Sequence, residues 1–489
     1  MPRTLLAIDA GTTGVTTILF DEQLEPLARS SREFEQLFPE PGQVEHSAEA
    51  ILEALDATLT EVLAGVQIAP AAVGITNQRE TVFALDLESG RALGTGIVWQ
   101  DRRTAGRCAE LKAAGHEDMY RSRTGLVLDP YFSGTKIEWL LSQRDTVAAG
   151  ARAGRVRFCT VDALIVHHLT GGEQCATDPT NASRTLLYDI DARQWSADLG
   201  APLGIDPDWL PPVLSSTANF GEAQLPGGLR APIHGIAGDQ QAALFGQGCV
   251  AEGSFKNTYG TGCFLLLNTG ERRVDSTSGL LTTLAVGPSG EPCYALEGSV
   301  FSGGLIVQWL RDGLGILDHA AESEALAREV PDSAGVFLVP AFAGLGAPYW
   351  DPDARAALLG LTRGTRRPHI ARAALEAIAL QCAEIVELLR ADTGLAIDEL
   401  LVDGGAAAND LLLSLQADAA GLTVVRPPQV EATARGAAAL AGLGVGLWQD
   451  PGAVLAPAGE GDRFSPQLEG AGRDEWLARW KAAVARVRS

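Results

Sequence analysis

The stretch Gly235-Ile-Ala-Gly-Asp-Gln-Gln-Ala-Ala-Leu-Phe-Gly246 lies almost midway along the chain and governs the interpretation of the whole sequence. The stretch begins with small apolar residues, continues with three polar residues from Asp239 and ends with a second apolar run. This order predicts a loop that enters a helix, with a carboxylate at the turn. Two short Gly/Thr loops flank it, Asp9-Ala-Gly-Thr-Thr13 and Tyr259-Gly-Thr-Gly-Cys263, and their backbone N–H groups can surround phosphates. A carboxylate between two phosphate loops suits phosphoryl transfer, because the loops hold the donor while the carboxylate takes the proton of the accepting hydroxyl.

The length and charge of the chain limit the classes of protein to which it belongs. At 489 residues it exceeds what one hydrophobic core usually supports, so we expect two domains. The formal net charge of −23 argues against a nucleic-acid-binding protein, which is normally basic. It does not exclude ATP, because a local loop, Mg²⁺ and helix N-termini can bind phosphate within an acidic protein.

The cysteines and the apolar segments indicate the compartment. The seven cysteines are scattered without a C-x-x-C pair, which favours free thiols in a reducing compartment over disulfides or a zinc site. The apolar segment Thr4–Ile8 is too short for the core of a signal peptide, and the run 436–448 is too short to span a bilayer. We therefore predict a cytoplasmic protein that does not insert into a membrane.

The N-terminal half begins with a predicted β-hairpin and continues with a helix. Leu5–Ile8 and Thr16–Phe20 are predicted strands, and the turn between them carries hydroxyls and the Asp9 carboxylate. An ordinary hairpin explains the same residues, because Asp, Gly and Thr are common in turns. Ser47 is predicted to cap the helix that follows, which has one apolar face.

Several polar and aromatic residues of this half allow both a structural and a ligand-binding role. Arg79 and Glu80 follow a predicted buried strand, where α/β proteins usually bind ligands, and they suit adjacent hydroxyls of a polyol; a surface ion pair is the alternative. Trp99, within the short strand predicted at 97–100, is typical of a core residue. Tyr131, beside a proline, either packs or donates its hydroxyl to a ligand.

Two segments that precede residue 235 are predicted to be loops. Asp178–Ser183 is a polar segment, and residues 199–232 are rich in Pro, Gly and Ser. The second segment contains Gly228 and Arg230, an exposed basic position in an acidic protein. A solvated loop tip explains that arginine without any ligand.

The C-terminal half repeats the strand–loop–strand pattern of the N-terminus. Predicted strands at 254–259 and 264–267 flank the turn Gly260-Thr-Gly262, which suggests an internal duplication. A helix follows Ser302-Gly-Gly304, and a later strand leads through two glycines into a helix near Asn409. Two phosphate hairpins and a strand–Gly-Gly–helix unit, in this order, predict a nucleotide clamp of two lobes that close over the nucleotide.

The chain resembles the FGGY carbohydrate kinases of the actin–hexokinase superfamily over almost its whole length, and within them the glycerol kinases. The resemblance rests on long strings: Gly74-Ile-Thr-Asn-Gln-Arg-Glu-Thr81, Asp129-Pro-Tyr-Phe-Ser-Gly-Thr-Lys136, Ala237-Gly-Asp-Gln-Gln-Ala-Ala-Leu-Phe-Gly246, Asn257-Thr-Tyr-Gly-Thr-Gly-Cys-Phe264 and Gly344-Leu-Gly-Ala-Pro-Tyr-Trp-Asp-Pro352. It implies two α/β domains of the ribonuclease-H-like, actin/hexokinase type with the active-site cleft between them. Residues 1–250 would carry the glycerol site, the first phosphate hairpin and the catalytic Asp, and residues 251–489 the second phosphate loop and the adenosine site.

The resemblance also implies a role for individual residues. Glycerol would be bound by Arg79, Glu80, Trp99, Tyr131, Asp239, Gln240 and Phe264, with Asp239 as the general base. The nucleotide would be bound by Thr12, Thr13, Thr261, Gly304, Gln308, Gly405 and Asn409, and Mg²⁺ by Asp9 and Asp239. Gly228 and Arg230 resemble a loop that binds fructose 1,6-bisphosphate in some bacterial relatives.

The sequence departs from the family pattern at the first phosphate hairpin. Thr16 stands where glycerol kinases usually have arginine and xylulose-type kinases have lysine, and Ala10 replaces the usual glutamine. The contacts to the donor phosphates are therefore open at this hairpin, and Lys256 or Arg102 is a candidate to supply the missing cation.

From these observations we predict ATP-dependent phosphorylation of glycerol to sn-glycerol 3-phosphate, with ATP, ADP and glycerol as ligands and Mg²⁺ as cofactor. A kinase for another polyol or a ketose is the alternative within enzymes. A nucleotide-dependent binding protein on the same fold is the alternative outside them. The resemblance also implies a homo-oligomer, a dimer or a tetramer.

Overall fold

The computed structural model describes residues 3–428, 431–448, 452–455 and 461–488. The strands are β1 (Leu5–Ala10), β2 (Gly14–Phe20), β3 (Pro26–Glu33), β4 (Glu45–His46), β5 (Ala72–Asn77), β6 (Val82–Asp86), β7 (Arg91–Ala92), β8 (Gly96–Ile97), β9 (Val156–Thr160), β10 (Tyr188–Asp189), β11 (Gln194–Trp195), β12 (Asn219–Gln224), β13 (Arg230–Gly238), β14 (Phe255–Tyr259), β15 (Cys263–Gly270), β16 (Leu281–Val286), β17 (Pro292–Val300), β18 (Phe337–Val339), β19 (Ala357–Leu359), β20 (Glu399–Asp403), β21 (Thr423–Arg426) and β22 (Asp462–Phe464).

Helices lie between groups of these strands along the chain. The α-helices are α1 (Ala48–Val62), α2 (Ala105–Ala113), α3 (Glu117–Thr124), α4 (Ser133–Gln143), α5 (Asp145–Arg152), α6 (Val161–Leu169), α7 (Pro179–Ala182), α8 (Ala197–Gly200), α9 (Asp239–Gly246), α10 (Gly304–Asp312), α11 (Glu322–Ala327), α12 (Arg367–Thr393), α13 (Asp410–Ala420), α14 (Ala432–Gly444), α15 (Gly452–Leu455) and α16 (Gly470–Val484). Short 3-10 helices cover Ala201–Leu203, Pro207–Trp209, Pro226–Gly228 and Gly405–Ala408.

The chain forms two compact units. The first unit comprises Met1–Val250, Thr282–Tyr294 and Ala432–Ala456, and the second comprises Ala251–Leu281, Ala295–Glu431 and Pro457–Ser489. This grouping differs from a single division at residue 250 in the two short segments 282–294 and 432–456. The segment that begins at Ala432 belongs to the first unit because the small residues of α14 pack on β1, β5 and β13; an added Cβ at Gly74 of β5 would lie 2.1 Å from the Ala437 carbonyl oxygen.

The main sheets of the two units share one plan. In the first, with strand order β12-β13-β5-β1-β2-β3, the β1–β2 hairpin is antiparallel, and β5 and β13 continue parallel to β1. In the second, with order β16-β17-β15-β14-β20-β21-β22, β14 and β15 form the antiparallel hairpin, and β20 and β21 continue parallel to β14. This correspondence supports the predicted internal duplication.

Local sequence explains the principal elements. The Ser47 hydroxyl accepts a hydrogen bond from the Ala50 N–H and so caps α1, whose apolar residues are buried as predicted. Every residue of β5 is buried, as expected for a central strand covered on both faces. Within the described ranges, no helix is both long and apolar enough to cross a membrane. All seven cysteines are free thiols.

Three predicted loops are regular structure instead. The residues before Asp239 form strand β13, which enters α9 without an intervening loop. Asp178–Ser183 contains the short helix α7, and all of its residues are buried. The Asp178 carboxylate accepts hydrogen bonds from the Thr180 and Asn181 N–H groups and so satisfies these buried donors. Residues 199–232 contain β12 and the start of β13. Local composition predicted loops here because it does not show the tertiary partners that these polar groups find.

Candidate active site

A group of buried polar side chains gathers where β5 and β13 end. We call Arg79, Glu80, Tyr131, Arg184 and Asp239 the first-unit cluster. Glu80 has a φ of +61°, a left-handed conformation that is uncommon for a residue other than glycine and costs roughly 1–3 kcal/mol. The Ser133 hydroxyl donates a hydrogen bond to the Glu80 carbonyl oxygen at 2.9 Å, which helps to hold this conformation.

The Arg79 guanidinium links the cluster together. Its Nε lies 3.3 Å from an Asp239 carboxylate oxygen, and its two terminal nitrogens lie 3.2 Å from Gln241 Oε1 and 3.4 Å from the Tyr131 hydroxyl. The side chain is only 2% exposed. Arg79 and Glu80 are therefore not a surface ion pair, and the alternative interpretation of these two residues is wrong.

Asp239 is the first residue of α9, directly after β13. Its carboxylate accepts a hydrogen bond from the Gln240 N–H at 2.8 Å, and its side chain is 29% exposed, unlike those of Arg79 and Glu80, at 2% each. The positive end of the helix dipole favours an ionised carboxylate at this position. The Gly238 N–H donates to the Thr180 hydroxyl at 2.9 Å, which anchors the strand end that carries Asp239.

Trp99 connects the first-unit cluster to the β1–β2 hairpin. The indole N–H donates to the Thr12 hydroxyl at 2.9 Å, and the ring lies edge-on to Tyr131 with centroids 5.7 Å apart. Thr13, next along the hairpin, is exposed. The predicted strand at 97–100 is shorter, since β8 ends at Ile97.

The predicted metal ligands Asp9 and Asp239 lie on different strands of the same sheet. Asp9 pairs with Thr76 of β5, and Gly238, the residue before Asp239, pairs with Asn77 of β5, so the strands that carry the two residues are about 10 Å apart, two strand spacings. In the described part of the chain, no group of three or more His, Cys, Asp or Glu residues could hold a metal ion. Mg²⁺ usually binds through one or two carboxylates together with waters and phosphates, so a site of this kind needs no larger group of protein ligands.

The second unit contains a cavity of about 460 Å³, which we call the second-unit cavity. It is lined by Tyr259, Gly260, Thr261, Gly304, Val307, Gln308, Arg311, Ala320, Ala321, Ser323, Glu324, Leu375, Gly405, Ala406, Ala408, Asn409 and Leu412. These include five of the seven residues predicted to bind nucleotide, namely Thr261, Gly304, Gln308, Gly405 and Asn409. The other two, Thr12 and Thr13, and the predicted glycerol residue Trp99 lie in the first unit, whereas Phe264 lies on β15 in the second.

Glycine backbone shapes one wall of this cavity. Gly404 has a φ of +87°, and an added Cβ would lie 2.5 Å from the Tyr259 carbonyl oxygen, so the turn after β20 requires glycine. An added Cβ at Gly405 meets no atom within 4 Å, because that side is open. Asn409 caps α13: its amide oxygen accepts from the Leu412 N–H at 2.9 Å, and its amide nitrogen donates to the Ser323 hydroxyl at 3.3 Å.

Two charged residues of the first unit were missed by sequence reasoning. Arg184 is 0% exposed and its Nε lies 2.6 Å from a Glu80 carboxylate oxygen. Lys136 is also fully buried; its ammonium donates to the Tyr131 carbonyl oxygen at 2.6 Å, and burial lowers the pKa of Lys136 to about 7. Arg184 is the sole charged residue within 179–188, and Lys136 is the sole charged residue within 130–137. A single charge in an otherwise uncharged stretch is the sequence signal that would have indicated a buried charged residue.

The two candidate cations, Thr16 and the predicted regulatory residue Arg230 each have a polar neighbour. Arg102 pairs with Asp129 at 2.8 Å, and the Lys256 ammonium donates to the Thr258 hydroxyl at 2.8 Å in the second unit. Thr16 lies opposite Asp9 in the hairpin, with its hydroxyl 2.9 Å from that of Ser31. Arg230 is exposed at the start of β13, with a guanidinium nitrogen 4.0 Å from a Glu222 carboxylate oxygen.

Comparison with known proteins identifies the family. Residues 4–246 match the N-terminal domain of the FGGY family of carbohydrate kinases, and residues 255–445 match its C-terminal domain. The chain is 51% identical to a glycerol kinase of Shewanella piezotolerans, covering 99% of each chain, and 50% identical to one of Shewanella amazonensis, covering 99% of this chain and 98% of that one. The crystal structure of Plasmodium falciparum glycerol kinase with ADP superposes with a TM-score of 0.90 at 35% identity, covering 99% of this chain and 98% of that chain. The chain therefore belongs to the FGGY family of carbohydrate kinases.

Proposed function

We propose that this protein transfers the γ-phosphoryl group of ATP to glycerol, giving sn-glycerol 3-phosphate and ADP, with Asp239 as the general base. The observation that carries the proposal is the first-unit cluster, in which Arg79 joins the Asp239 carboxylate to the Tyr131 hydroxyl beside Glu80. The glycerol kinases that match almost the whole chain at about 50% identity support glycerol as the acceptor.

The acceptor site uses fixed polar groups beside an apolar ring. Arg79 and Tyr131 donate hydrogen bonds to glycerol hydroxyls, Glu80 accepts one, and Trp99 packs against the carbon backbone. Because these groups are already held in place, little ordering is needed when glycerol binds. Gln240 and Phe264 complete the contacts to glycerol.

The chemical step moves one phosphoryl group and one proton. The terminal hydroxyl oxygen of glycerol bonds to the γ-phosphorus while the bond from that phosphorus to the bridging oxygen of ADP breaks. Asp239 accepts the hydroxyl proton, and its partial exposure leaves it accessible to the substrate. Positioning of the two reactants supplies much of the rate enhancement.

The nucleotide binds in the second-unit cavity. Gly304, Gln308, Gly405 and Asn409 contact the nucleoside, and Thr12, Thr13 and Thr261 contact the phosphates. Asp9 and Asp239 would hold Mg²⁺, which would neutralise part of the phosphate charge.

A substrate panel tests the proposal. ADP release is measured with ATP and Mg²⁺ in the presence of glycerol, other polyols and ketoses, with a no-acceptor control. We expect glycerol to have the highest kcat/KM and the control to be near zero. A higher kcat/KM for another polyol or a ketose would favour the alternative kinase. ADP release that does not depend on any acceptor, or none at all, would favour a nucleotide-dependent binding protein.

We also propose regulation and assembly of the kind found in relatives of this family. Gly228 and Arg230 would bind fructose 1,6-bisphosphate, and the exposure of both residues supports an accessible loop. The protein would act as a homo-oligomer, a dimer or a tetramer. Light scattering with and without the bisphosphate tests both points.

A further inference from the structure

Arg184 lies in a polar segment of the first unit in which every residue is buried. It directly follows α7 and Ser183, and its backbone N–H donates to the Asn181 carbonyl oxygen at 3.0 Å. Asp178 caps α7, and Thr180 of the same helix accepts the hydrogen bond from Gly238. The backbone that carries Arg184 is therefore tied to the backbone that precedes the catalytic carboxylate.

The Arg184 side chain contacts two residues of the proposed glycerol site. Its Nε lies 2.6 Å from Glu80 Oε1, and its guanidinium carbon lies 5.5 Å from the centre of the Tyr131 ring and 5.3 Å from that of Phe132. The first distance is that of an ion pair, and the other two are typical of cation–π interactions. Arg184 is completely buried.

Each of the two buried arginines lies closest to a different carboxylate. Arg184 is 2.6 Å from Glu80, whereas Arg79 is 3.9 Å from Glu80 and 3.3 Å from Asp239. Without Arg184, the Glu80 carboxylate would attract the neighbouring Arg79, 3.9 Å away, more strongly, and that attraction would draw Arg79 away from Asp239 and Tyr131. The position of Arg184 thus favours the contacts of Arg79 with Asp239 and Tyr131.

We propose that Arg184 is a positioning residue that sets acceptor selectivity by holding the Glu80 carboxylate and the Tyr131 ring in the geometry that favours an acceptor with all three hydroxyls of glycerol. The proposal rests on the proposed function, because it assumes that Glu80 and Tyr131 bind glycerol. A site built to bond a hydroxyl discriminates strongly against an analogue that lacks it, and that discrimination is lost when the site's own groups are displaced.

Kinetics of the full-length protein test the proposal. Arg184→Gln and Arg184→Lys are compared with the wild type for glycerol, for propane-1,2-diol, which lacks one hydroxyl, and for ATP. Arg103→Gln is the matched control, because Arg103 is also buried, pairs with Asp101 at 2.8 Å and lies 4.5 Å from the Trp139 ring. We expect Arg184→Gln to raise KM for glycerol about tenfold and to lower the glycerol-to-diol ratio of kcat/KM about tenfold, while KM for ATP stays unchanged.

Arg184→Lys keeps the charge but loses the planar fork, so we expect it to restore part of the glycerol preference. A glycerol-to-diol ratio equal to wild type in folded Arg184→Gln would overturn the proposal, as would an equal loss in the Arg103→Gln control. If circular dichroism shows that Arg184→Gln is unfolded, Arg184→Lys decides, and an unchanged ratio there overturns the proposal. The wild-type panel tests glycerol kinase activity separately. If the wild type does not use glycerol, the proposed function is rejected. If the wild type uses glycerol but the variants keep its glycerol-to-diol ratio, only the role of Arg184 is rejected.

Discussion

The two units have matching sheets but end a corresponding strand with opposite kinds of residue. In the first unit, β5 is followed by Arg79 and Glu80, whose charged groups are buried and bonded within the cluster. In the second unit, β20 is followed by Gly404 and Gly405, which leave room beside the backbone. The residues that follow the strand, and not the strand itself, therefore decide whether this part of each unit carries fixed charges or open space.

The strongest test of the charged side of this comparison is Asp239→Asn. The amide keeps the shape but cannot accept the proton, so we expect kcat to fall about 10²–10⁴-fold while glycerol affinity changes less than about tenfold. Steady-state assays and calorimetric titration with glycerol measure the two effects. Asp145→Asn, at the first residue of α5, is the matched control at an exposed helix start. Near-normal kcat in Asp239→Asn would remove this residue from the role of base.

The buried charges should also make stability depend on pH through Lys136. Burial lowers its pKa from 10.5 to about 7, so between about pH 7 and 10.5 the unfolded state binds more protons than the folded state, and stability rises with pH. In that pH range, Lys136 raises the free energy of unfolding by about 1.4 kcal/mol per pH unit. Urea unfolding at pH 7 and pH 9 should show a smaller rise for Lys136→Met than for the wild type. Parallel changes in the two proteins would contradict the prediction.

In the second unit, where glycines follow β20, Gly405→Val should narrow the second-unit cavity. The open space at this position predicts little loss of stability, but the added methyl groups should raise KM for ATP about tenfold, the effect of ~1.4 kcal/mol of overpacking against the ligand. KM for glycerol should not change. Gly106→Val in α2, another glycine with open space around it, is the control. An unchanged KM for ATP would mean that the nucleotide does not approach this wall.

Thr16→Arg adds a charge to the first hairpin, where this chain lacks the cation of its relatives. A charge pair about 4 Å apart at an effective dielectric of 20 amounts to roughly 4 kcal/mol, most of which desolvation and side-chain ordering remove. If ~1.4 kcal/mol remains in the transition state, kcat/KM for ATP rises about tenfold. Thr16→Gln supplies a long neutral control. A change in KM for glycerol with all ATP parameters unchanged would show that position 16 does not face the phosphates.

The smallest expected effect concerns Arg230. Its guanidinium is exposed and lies 4.0 Å from a Glu222 oxygen, so its removal should cost little stability. If the loop binds fructose 1,6-bisphosphate, millimolar bisphosphate should inhibit the wild type, and Arg230→Ala should weaken that inhibition. Arg193→Ala is a control at another surface arginine. Absence of inhibition in the wild type would leave the loop without a regulatory role.

The sequence alone determined the hairpins, the helix caps and the family. These features depend on the alternation of apolar and polar residues, on capping residues such as Ser47 and on glycines in turns. All of these are properties of residues that are close together in the sequence. The family resemblance, and not local patterning, implied Thr261, Gly304, Gln308, Gly405 and Asn409 as nucleotide-binding residues, and all five line the second-unit cavity.

Only the tertiary structure decided the charge pairing of the first unit. Arg184 and Glu80 are 104 positions apart, and Arg79 and Asp239 are 160 apart. Local sequence therefore gave no sign that they would meet, and it predicted a polar loop where α7 is buried. The reason is physical: a buried charge persists only beside a partner, and strands and helices from distant parts of the chain bring that partner into place.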